Sequence, residues 1–564
     1  MAATTGGEAL VAALEDAGVR YVFGLLGSST MEVYDALYEH PTIRYIGVRD
    51  ERSGTHMADG YGRISGEPGV ILAGQAGPGS SNLVTGLIQA KLAFSPVVAI
   101  TGLVSSSHIG RDTLQEFDQH GLFSPIAKRT WNVPKADRIR ELVREAVRYS
   151  SVGRKGPVVL NVPRDLFAQQ VSKEDKRWNS WHKIHNGAPA AEQIQQIVQM
   201  IRSARSPLII SGGGIKAARA SAQLVELSRK TGIPVAASAG NTDVVPNDYE
   251  LFAGQAGPRG NPVATGLAHD ADLILAIGTR LAFNTTFYED DFCPSAKIIQ
   301  IDIDPLAVGR HYPIELGIVA DAGQTVMALL EAMQGFEANQ AAWKARNTRF
   351  MHDRKALLDK REELGKSTDT PMKSAQVFSA LRSAIPREAV VTLDAGTMCM
   401  QATDQLAYYN PPSLITPLDF GLVGMSYAAG IGAKLAAPKR PVVSLMGDGG
   451  FGIGMTEFTT AIQHDIPTVT VVLDNGSWGA EKAYQRDFYG KRYVGADIHS
   501  APYDEFARSC GGFGVRVTAS SELADAVSQA LKSGKPAVVH VKVDPDSIVS
   551  FRSDSFKHRV EKSS

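Results

Sequence analysis

The chain has 564 residues, a length at which one hydrophobic core no longer suffices and several domains are expected. Its composition, 44% hydrophobic and 21% charged, is typical of globular proteins and excludes a disordered or fibrous chain. With 58 Lys+Arg against 59 Asp+Glu, the formal net charge is -1. This balance removes any overall electrostatic reason to bind nucleic acid or an anionic membrane.

The three cysteines, Cys293, Cys399 and Cys510, are odd in number and widely spaced, so they predict neither a disulfide framework nor a thiolate metal cluster. Glu8 and Glu15 lie where a secretory signal has a basic head and an apolar run. The apolar runs are shorter than the ~20 residues that span a bilayer. We therefore expect a cytoplasmic location and no membrane partner.

Short apolar runs closed by glycine alternate with helical patterns along the chain. In chain order they are RYVFGLLG, GVILAGQAGPG, SPVVAITG, GPVVLNVP, SPLIISGGG, DLILAIGT, KIIQIDIDP, AVVTLDAG, RPVVSLMGDGG and PTVTVVLDNG. This alternation is typical of β-α-β units with parallel sheets covered on both faces. Residues 178–189 and 362–371 interrupt it, and we interpret both as linkers. The sequence thus predicts an α/β protein of three doubly wound parallel-sheet domains, at 1–180, 190–350 and 372–550.

The second predicted domain carries a glycine fingerprint after its first strand. Gly212, Gly214 and Ala217 fit G-x-G-x-x-A, and Asp302 and Asp304 end a later strand. This pattern is compatible with nucleotide binding. A single fingerprint also serves as a simple chain turn, and we favour a structural role for this domain.

In the third predicted domain, polar residues follow two successive strands. PVVSLM leads into Gly447, Asp448 and Gly449, and PTVTVVL leads into Asp474 and Asn475. Because parallel strands bring their carboxyl ends to one edge of the sheet, we expect Asp448 and Asn475 to meet. Carboxylate and amide oxygens suit Mg²⁺, and glycine backbone at a helix start suits a phosphate. G-D-G alone also serves as a turn, but an Asn at the next strand end favours a magnesium diphosphate site.

This pattern resembles the magnesium and diphosphate motif of thiamine-diphosphate enzymes of the acetohydroxyacid synthase-like superfamily. In that motif an Asp, an Asn and a backbone carbonyl two residues later hold the metal. The resemblance implies that Asp448, Asn475 and the carbonyl of Ser477 are the metal ligands. It also implies the domain order pyrimidine-binding, middle, diphosphate-binding.

Residues 48–66, VRDERSGTHMADGYGRISG, resemble the segment that carries the catalytic glutamate of this family. The matching residue is Glu51. The resemblance implies that its carboxyl group hydrogen-bonds the pyrimidine of the cofactor and promotes loss of the proton at thiazolium C2. Asp50 stands where many relatives have histidine. Taken alone, a Glu after a strand is more often a solvated turn carboxylate, and the surrounding segment favours catalysis.

Further segments match in order: LAGQAGPGSSNLVTGL (72–87), DTLQEFDQHGLF (112–123), DAGTMCM (394–400) and FGLVGMSYAAGIGA (420–433). The resemblance implies that Gln115 reaches toward the substrate and that Val423 holds the cofactor in its bent conformation, although Val423 also fits an ordinary core position. The cofactor-binding residues it implies are Glu51, Gly77, Pro78, Asn82, Thr397, Met398, Val423, Met425, Gly447, Asp448, Gly449, Gly450, Asn475, Ser477, Trp478 and Gly479.

Residues 475–495, NGSWGAEKAYQRDFYGKRYVG, are most similar to the sulfoacetaldehyde acetyltransferases within this family. This implies conversion of sulfoacetaldehyde and phosphate into acetyl phosphate and sulfite. Lys482, with Arg486 or Arg492, is then the expected cation for a sulfonate or a phosphate; these side chains also fit exposed helix charges. The alternatives are an acetolactate synthase-like carboligase, a 2-oxo acid decarboxylase or a 2-hydroxyacyl-CoA lyase.

The resemblance implies thiamine diphosphate and Mg²⁺ as cofactors, with FAD or an adenine nucleotide in the middle domain as the less favoured alternative. It further implies a homodimer or homotetramer with the active site at the subunit interface, where Glu51 and Asp448 would meet. A cofactor-binding scaffold without catalysis is the rival of another class. The presence of Glu51, Asp448 and Asn475 together argues against that rival.

Overall fold

A computed structural model of the chain describes residues 4–171, 184, 186–335, 340–417 and 419–560. The chain divides into two compact units. The first contains residues 1–185, 419–439 and 454–468, and the second contains residues 186–418, 440–453 and 469–564. Among the described residues, no helix is long and apolar enough to cross a membrane. Most of the predicted linker 178–189 lies outside the described residues.

The first unit is built on a parallel sheet. The strands of this unit are β1 Thr4–Thr5, β2 Tyr21–Leu25, β3 Arg44–Gly47, β4 Gly69–Ala73, β5 Val97–Leu103, β6 Arg129–Asn132, β7 Val158–Pro163 and β8 Gln170–Val171. Its helices are α1 Gly6–Asp16, α2 Met31–Tyr38, α3 Glu51–Ser65, α4 Gly77–Leu92, α5 Gln119–Phe123, α6 Ile139–Ser151 and α7 Arg164–Ala168. Six strands pair in the order β3-β2-β4-β5-β7-β6, while β1 and β8 form a separate antiparallel pair.

The middle part of the second unit contains another parallel sheet. Its strands are β9 Pro207–Ser211, β10 Val235–Ala237, β11 Phe252–Gln255, β12 Leu273–Ile277, β13 Lys297–Asp302 and β14 Leu316–Val319. Its helices are α8 Ala191–Ser203, α9 Gly213–Ala217, α10 Ser221–Thr231, α11 Pro262–His269, α12 Phe283–Thr286, α13 Ala322–Ala332 and α14 Gln340–Gly365. The strand order is β11-β10-β9-β12-β13-β14.

The third sheet has the order β16-β15-β17-β18-β20-β19. Its strands are β15 Val390–Leu393, β16 Leu414–Ile415, β17 Val442–Gly447, β18 Val469–Asp474, β19 Phe513–Val517 and β20 Ala537–Lys542. The accompanying helices are α15 Ser374–Ala384, α16 Thr397–Gln405, α17 Ser426–Ala436, α18 Asp448–Gly454, α19 Glu457–Gln463, α20 Gly479–Phe488, α21 Tyr503–Ser509, α22 Ser520–Lys532 and α23 Lys557–Val560. Short 3₁₀ turns occupy Ser28–Thr30, Ser106–His108, Ala136–Arg138, Thr242–Val244, Asp290–Phe292 and Ser553–Phe556.

The predicted fold class is confirmed, since each six-stranded sheet is parallel throughout. Strands β4, β7, β9, β12 and β18 are buried along their whole length, which explains why they read as continuous apolar runs rather than alternating ones. The strand order reverses between β2 and β4, between β9 and β12, and between β15 and β17, and the first and third sheets reverse again at the edge pairs β7-β6 and β20-β19. The carboxyl ends at such a reversal are where open α/β sheets bind ligands.

The prediction places the start of the second linker, residues 362–371, too early in the chain. Helix α14 continues to Gly365, so the first four residues of that segment are helical. The sequence of this helix is charged and shows no apolar stripe at helical spacing. A few separate buried residues hold the helix in place instead. Trp343 and Phe350 are buried, and Lys355 pairs with Asp359 one turn along the helix at 2.5 Å.

Helices α3 and α17, both in the first unit, touch backbone to backbone. A Cβ atom added to Gly60 would lie 2.1 Å from the carbonyl oxygen of Ala429, and one added to Gly432 would lie 1.9 Å from that of Met57. Real Cβ atoms do not approach backbone this closely, so each glycine fills a place where no side chain fits. The crossing fixes the position of α3, the helix that begins with Glu51.

We expect the substitution Gly60→Ala to lower the thermal unfolding midpoint clearly, because overpacking against backbone costs about 1–3 kcal/mol or more. Differential scanning calorimetry of the cofactor-free protein measures this. Gly266→Ala is the matched control, since a Cβ at this position on α11 meets no atom within 4 Å and alanine favours a helix. Equal midpoints for the two variants would contradict the close crossing.

Candidate functional site

Glu51 is a buried carboxylate at the first residue of α3. The preceding Asp50 caps the helix, and its side chain accepts a hydrogen bond of 2.7 Å from the Arg52 amide. Glu51 is only 3% exposed, and its Oε2 accepts a hydrogen bond of 3.0 Å from Asn82 Nδ2. A Cβ atom on Gly79 would lie 2.8 Å from Glu51 Oε1. One oxygen is therefore held by Asn82, while the other faces bare backbone.

The chain leading into Glu51 is fixed by helix α19 of the same unit. The Gly47 amide donates to His464 Nε2 at 2.9 Å, and the Arg49 amide donates to Glu457 Oε1 at 3.0 Å. Burial raises the pKa of Glu457. Sequence reasoning missed Glu457 and His464 because they lie more than 400 positions from their partners.

Val423 and Met425, two other predicted residues, lie close to α3. Arg52, next to Glu51, donates from Nη2 to the carbonyl oxygen of Val423 at 2.9 Å. Val423 is half-buried rather than part of the core, while Met425 is fully buried. The side chain of Arg52 therefore links the carbonyl of Val423 to the first turn of α3, the helix that begins with Glu51.

Gln115 belongs to a constrained loop beside the start of α4. Its φ of 69° lies in the left-handed region, which is uncommon for a residue with a side chain. A Cβ on Gly77 would lie 3.0 Å from the Gln115 carbonyl oxygen, so loop and helix start are in close contact. Pro78, at the next position of α4, is exposed. We call Glu51, Gly77, Asn82, Gln115 and Val423 the glutamate half-site.

The second group of predicted residues lies at the carboxyl ends of β17 and β18. Asp448 begins α18 directly after β17, and Asp474 ends β18. Ser500 Oγ donates to both carboxylates, and the Gly476 amide donates to both at 3.1 Å. Burial raises the pKa of Asp448, and the nearby charge of Asp474 raises it further. A cation bound by Asp448 would relieve this repulsion.

Asp474 is held as a buried charge. Its Oδ2 accepts hydrogen bonds from His540 Nε2 at 2.7 Å and from Lys542 Nζ at 2.6 Å. Burial alone raises the pKa of Asp474, but these donors and Ser500 more than offset burial, so its pKa falls well below the ordinary range. Asp474, Ser500 and His540 form a support behind Asp448 that the sequence motif did not reveal.

The remaining predicted ligands follow on the same turn. Asn475 Oδ1 accepts a hydrogen bond of 3.1 Å from the Ser477 amide. A Cβ on Gly479 would lie 3.0 Å from Asn475 Nδ2 and 3.4 Å from Thr397 Oγ1. The residue that follows β18 and the start of α16 therefore both lie close to Gly479. The Trp478 ring lies against Gly449 of α18, and Met398 of α16 is buried. We call Thr397, Asp448, Asn475, Ser477 and Gly479 the aspartate half-site.

Open space lies where this sheet reverses its strand order. A Cβ on Gly396, which follows β15, would meet no atom within 4 Å, and one on Gly447, at the end of β17, would find its nearest atom 4.0 Å away. Gly450 follows in the first turn of α18. Bare backbone beside a carboxylate and an amide oxygen fits a diphosphate held through Mg²⁺. The residues present are therefore suited to both groups.

The predicted cations on α20 already bind carboxylates. Lys482 Nζ lies 2.7 Å from Asp497, with its side chain 16% exposed. Arg486 pairs with Asp487 at 2.7 Å and also donates to the carbonyl oxygen of Ile548 at 3.1 Å. Arg492 is exposed. Lys482 is thus a cation largely withdrawn from solvent, four residues after Trp478.

Three family models match the chain and together cover most of it. The N-terminal TPP-binding domain of thiamine pyrophosphate enzymes matches residues 4–122, the central domain matches 194–329, and the C-terminal TPP-binding domain matches 394–541. Thiamine pyrophosphate is another name for thiamine diphosphate. The first and third models contain the glutamate and aspartate residues described above.

Similar proteins carry two different activity names. The chain is 32% identical to a sulfoacetaldehyde acetyltransferase of Castellaniella defragrans, over 99% of this chain and 96% of the relative, and 33% identical to one of Alcaligenes xylosoxydans xylosoxydans with the same coverage. It is also 32% identical to the acetolactate synthase large subunit of Haemophilus influenzae, over 96% of this chain and 94% of the relative. Identity alone does not separate the two activities.

We expect Glu51→Gln to retain thiamine diphosphate binding, because the amide keeps the size and one hydrogen-bonding oxygen. Exchange of the C2 proton should fall by about a hundredfold or more, since a positioned acid-base group contributes ~10²–10⁴-fold. Proton exchange by quenched-flow NMR and binding by calorimetry measure the two effects. Asp50→Asn is the neighbouring control and should leave exchange unchanged. Normal exchange in Glu51→Gln would remove Glu51 from this role.

The substitution Gly396→Ala tests the open space at β15. Among the described residues other than its chain neighbours, no atom lies within 4 Å of the added methyl group, so the midpoint of the cofactor-free protein should not change. If the diphosphate lies there, the Kd for thiamine diphosphate with Mg²⁺ should rise about tenfold, equivalent to ~1.4 kcal/mol. Calorimetric titration of the variant beside Gly266→Ala provides the comparison. An unchanged Kd would place the diphosphate elsewhere.

Proposed function

Because the chain belongs to the thiamine pyrophosphate enzyme family, we propose that it converts sulfoacetaldehyde and phosphate into acetyl phosphate and sulfite. The chain is an enzyme that depends on thiamine diphosphate. The proposed reaction breaks a C–S bond and forms a C–O bond to phosphate. It needs no external oxidant, since the aldehyde carbon rises to the acyl level while the neighbouring carbon exchanges sulfur for hydrogen.

The observation that carries this proposal is the position of Lys482. Within this family the segment 475–495 resembles the sulfoacetaldehyde acetyltransferases most, and it places an ammonium group with little solvent exposure one turn after the aspartate half-site. A departing sulfite and an incoming phosphate are both oxyanions, which a cation of low exposure stabilises. Arg486, on the same helix, is the second proposed cation.

The residues fit the cofactor in two groups. Asp448, Asn475 and the Ser477 carbonyl would hold Mg²⁺ and the diphosphate, with Thr397, Met398, Gly447, Gly449, Gly450, Trp478 and Gly479 around them. Glu51, Gly77, Pro78, Asn82, Val423 and Met425 would receive the pyrimidine end. When bound, thiamine diphosphate supplies an electron sink that protein side chains lack.

The side chains of this chain would then bind, orient and move protons. Asn82 fixes Glu51 through Oε2 at 3.0 Å, which leaves Oε1 to share a proton with the pyrimidine. Gln115, in its constrained loop, would orient the carbonyl oxygen of the substrate. Lys482 would stabilise negative charge on the departing sulfite, since a lysine ammonium offers three hydrogen-bond donors.

Acetolactate synthesis from 2-oxo acids is the second candidate function. The acetolactate synthase of Haemophilus influenzae is as similar in identity as one of the acetyltransferases, and the glutamate half-site suits either reaction. Decarboxylation of 2-oxo acids and cleavage of 2-hydroxyacyl-CoA belong to the same alternative. The cationic environment of α20 does not by itself exclude a carboxylate substrate.

Domain limits and assembly are part of the proposal. The three sheets span residues 21–163, 207–319 and 390–542, which supports domains at about 1–180, 190–350 and 372–550. We take the chain to form a homodimer or homotetramer with each active site at a subunit interface, as the family resemblance implies. A structural middle domain is preferred over one that holds FAD or an adenine nucleotide.

Turnover of the purified protein with thiamine diphosphate, Mg²⁺ and phosphate tests the reaction. We expect sulfoacetaldehyde to yield sulfite and acetyl phosphate in equal amounts, and Glu51→Gln to abolish both. Pyruvate serves as the competing substrate, with acetolactate measured in parallel. Consumption of pyruvate without sulfite release from sulfoacetaldehyde would favour the second candidate.

A further inference from the structure

Arg259, in the loop after β11, has a guanidinium group with unused hydrogen-bonding capacity. Its Nη1 donates to the neutral Asn284 Oδ1 at 2.6 Å, and the guanidinium lies 5.2 Å from the centre of the Phe287 ring. Its Nε is buried and has no hydrogen-bond partner in the part of the chain that the structure describes. A buried donor without a partner is costly and needs an explanation in a native structure.

Arg552 lies in the C-terminal segment, the part of the chain after β20, and its guanidinium group packs on an aromatic ring. Its guanidinium lies 5.0 Å from the centre of the Phe283 ring, and it pairs with Asp554 at 3.2 Å. The rings of Phe283 and Phe287 stack, with centres 4.7 Å apart and planes 3° from parallel. Two guanidinium groups are therefore placed on one stacked aromatic pair, an arrangement that suits arginine in particular.

The loop that carries Arg259 is rigidly held. A Cβ on Gly257 would lie 1.6 Å from the Thr285 carbonyl oxygen, so the loop lies directly against α12. The buried Gln255 donates from Nε2 to the Arg259 carbonyl oxygen at 2.9 Å. Phe287 and Tyr288 have φ values of 50° and 57°, a strained conformation for bulky residues. Such strain persists only where the surroundings enforce it, and it concentrates at functional sites.

The pair lies beside α20, which begins in the aspartate half-site. Phe556 of the C-terminal segment packs on Tyr484 and Phe488 of that helix, with ring centres 4.9 Å and 5.0 Å apart. Burial lowers the pKa of Arg259, and the charge of Arg552 lowers it further, with Tyr484 and Asp554 acting in the opposite direction. Arginine nevertheless stays charged, so positive charge accumulates here.

The geometry points to Arg259 and Arg552 as the binding site for a tetrahedral oxyanion, either the phosphate acceptor or the sulfonate of the donor. The planar guanidinium fork matches the oxygens of both groups, and the acceptor of Arg259 Nη1 in the structure, Asn284 Oδ1, carries no charge. The inference rests on the proposed function for the identity of the two oxyanions, but the binding itself can be measured without turnover.

Direct titration of the protein loaded with thiamine diphosphate and Mg²⁺ tests the site. The probes are inorganic phosphate and isethionate, a sulfonate without the reactive aldehyde. Arg259→Met should weaken binding of at least one probe by about ten- to a hundredfold, as expected for a lost charge-assisted hydrogen bond, and Arg259→Lys should restore part of it. Arg387→Met is the matched control, because Arg387 stacks on Tyr409 at 3.9 Å and pairs with Asp248 at 2.6 Å.

The two probes identify the source of the oxyanion. Weakened phosphate binding with a raised KM for phosphate assigns the site to the acceptor, while weakened isethionate binding with a raised KM for sulfoacetaldehyde assigns it to the donor. If the enzyme does not turn over sulfoacetaldehyde, the titrations still decide whether the site exists. A wild-type protein that binds neither probe, or equal affinities in wild type and Arg259→Met, would overturn the inference.

Discussion

The close crossing of α3 and α17 is the constraint on which the glutamate half-site depends. Gly60 and Gly432 bring the two helix backbones together so tightly that no side chain fits between them. Beside the crossing, the Arg52 side chain donates to the carbonyl oxygen of Val423 at 2.9 Å, so the chain that leads into α17 is tied to the first turn of α3. Glu51 sits at the fixed end of this helix, and its orientation follows from helix packing.

The aspartate half-site is organised by charge instead. Two carboxylates share Ser500 and the Gly476 amide, an arrangement that is unfavourable for two negative groups unless each is compensated. His540 and Lys542 compensate Asp474, which leaves Asp448 as the less compensated carboxylate of the two. A divalent cation bound at Asp448, as we propose, would compensate its charge. Ser500, His540 and Lys542 thus hold Asp474 as a charged group beside Asp448, and the sequence motif includes Asp448 but none of these supporting residues.

Sequence patterns predicted the sheets well because parallel strands buried on both faces, such as β7 and β18, read as continuous apolar runs between glycines. They also predicted that Asp448 and Asn475 share one turn region, since strand order dictates which ends meet. They did not predict Glu457, His464, Ser500 or His540, whose roles arise from contacts between distant segments. The end of α14 was missed because its helix is charged throughout and anchored by few apolar residues.

The middle sheet reverses its strand order between β9 and β12 and the third sheet between β15 and β17, and the glycines at these two places have different surroundings. At the end of β9, a Cβ on Gly212 would lie 2.6 Å from the Gly278 carbonyl oxygen, and one on Gly214 would lie 2.6 Å from the Gly278 Cα. These glycines let the chain pack against itself, whereas Gly396 and Gly447 border open space. Gly212 and Gly214 of the glycine fingerprint thus have a role in packing within the middle domain. In the oxyanion site that we propose, this domain contributes Arg259, in the loop after β11.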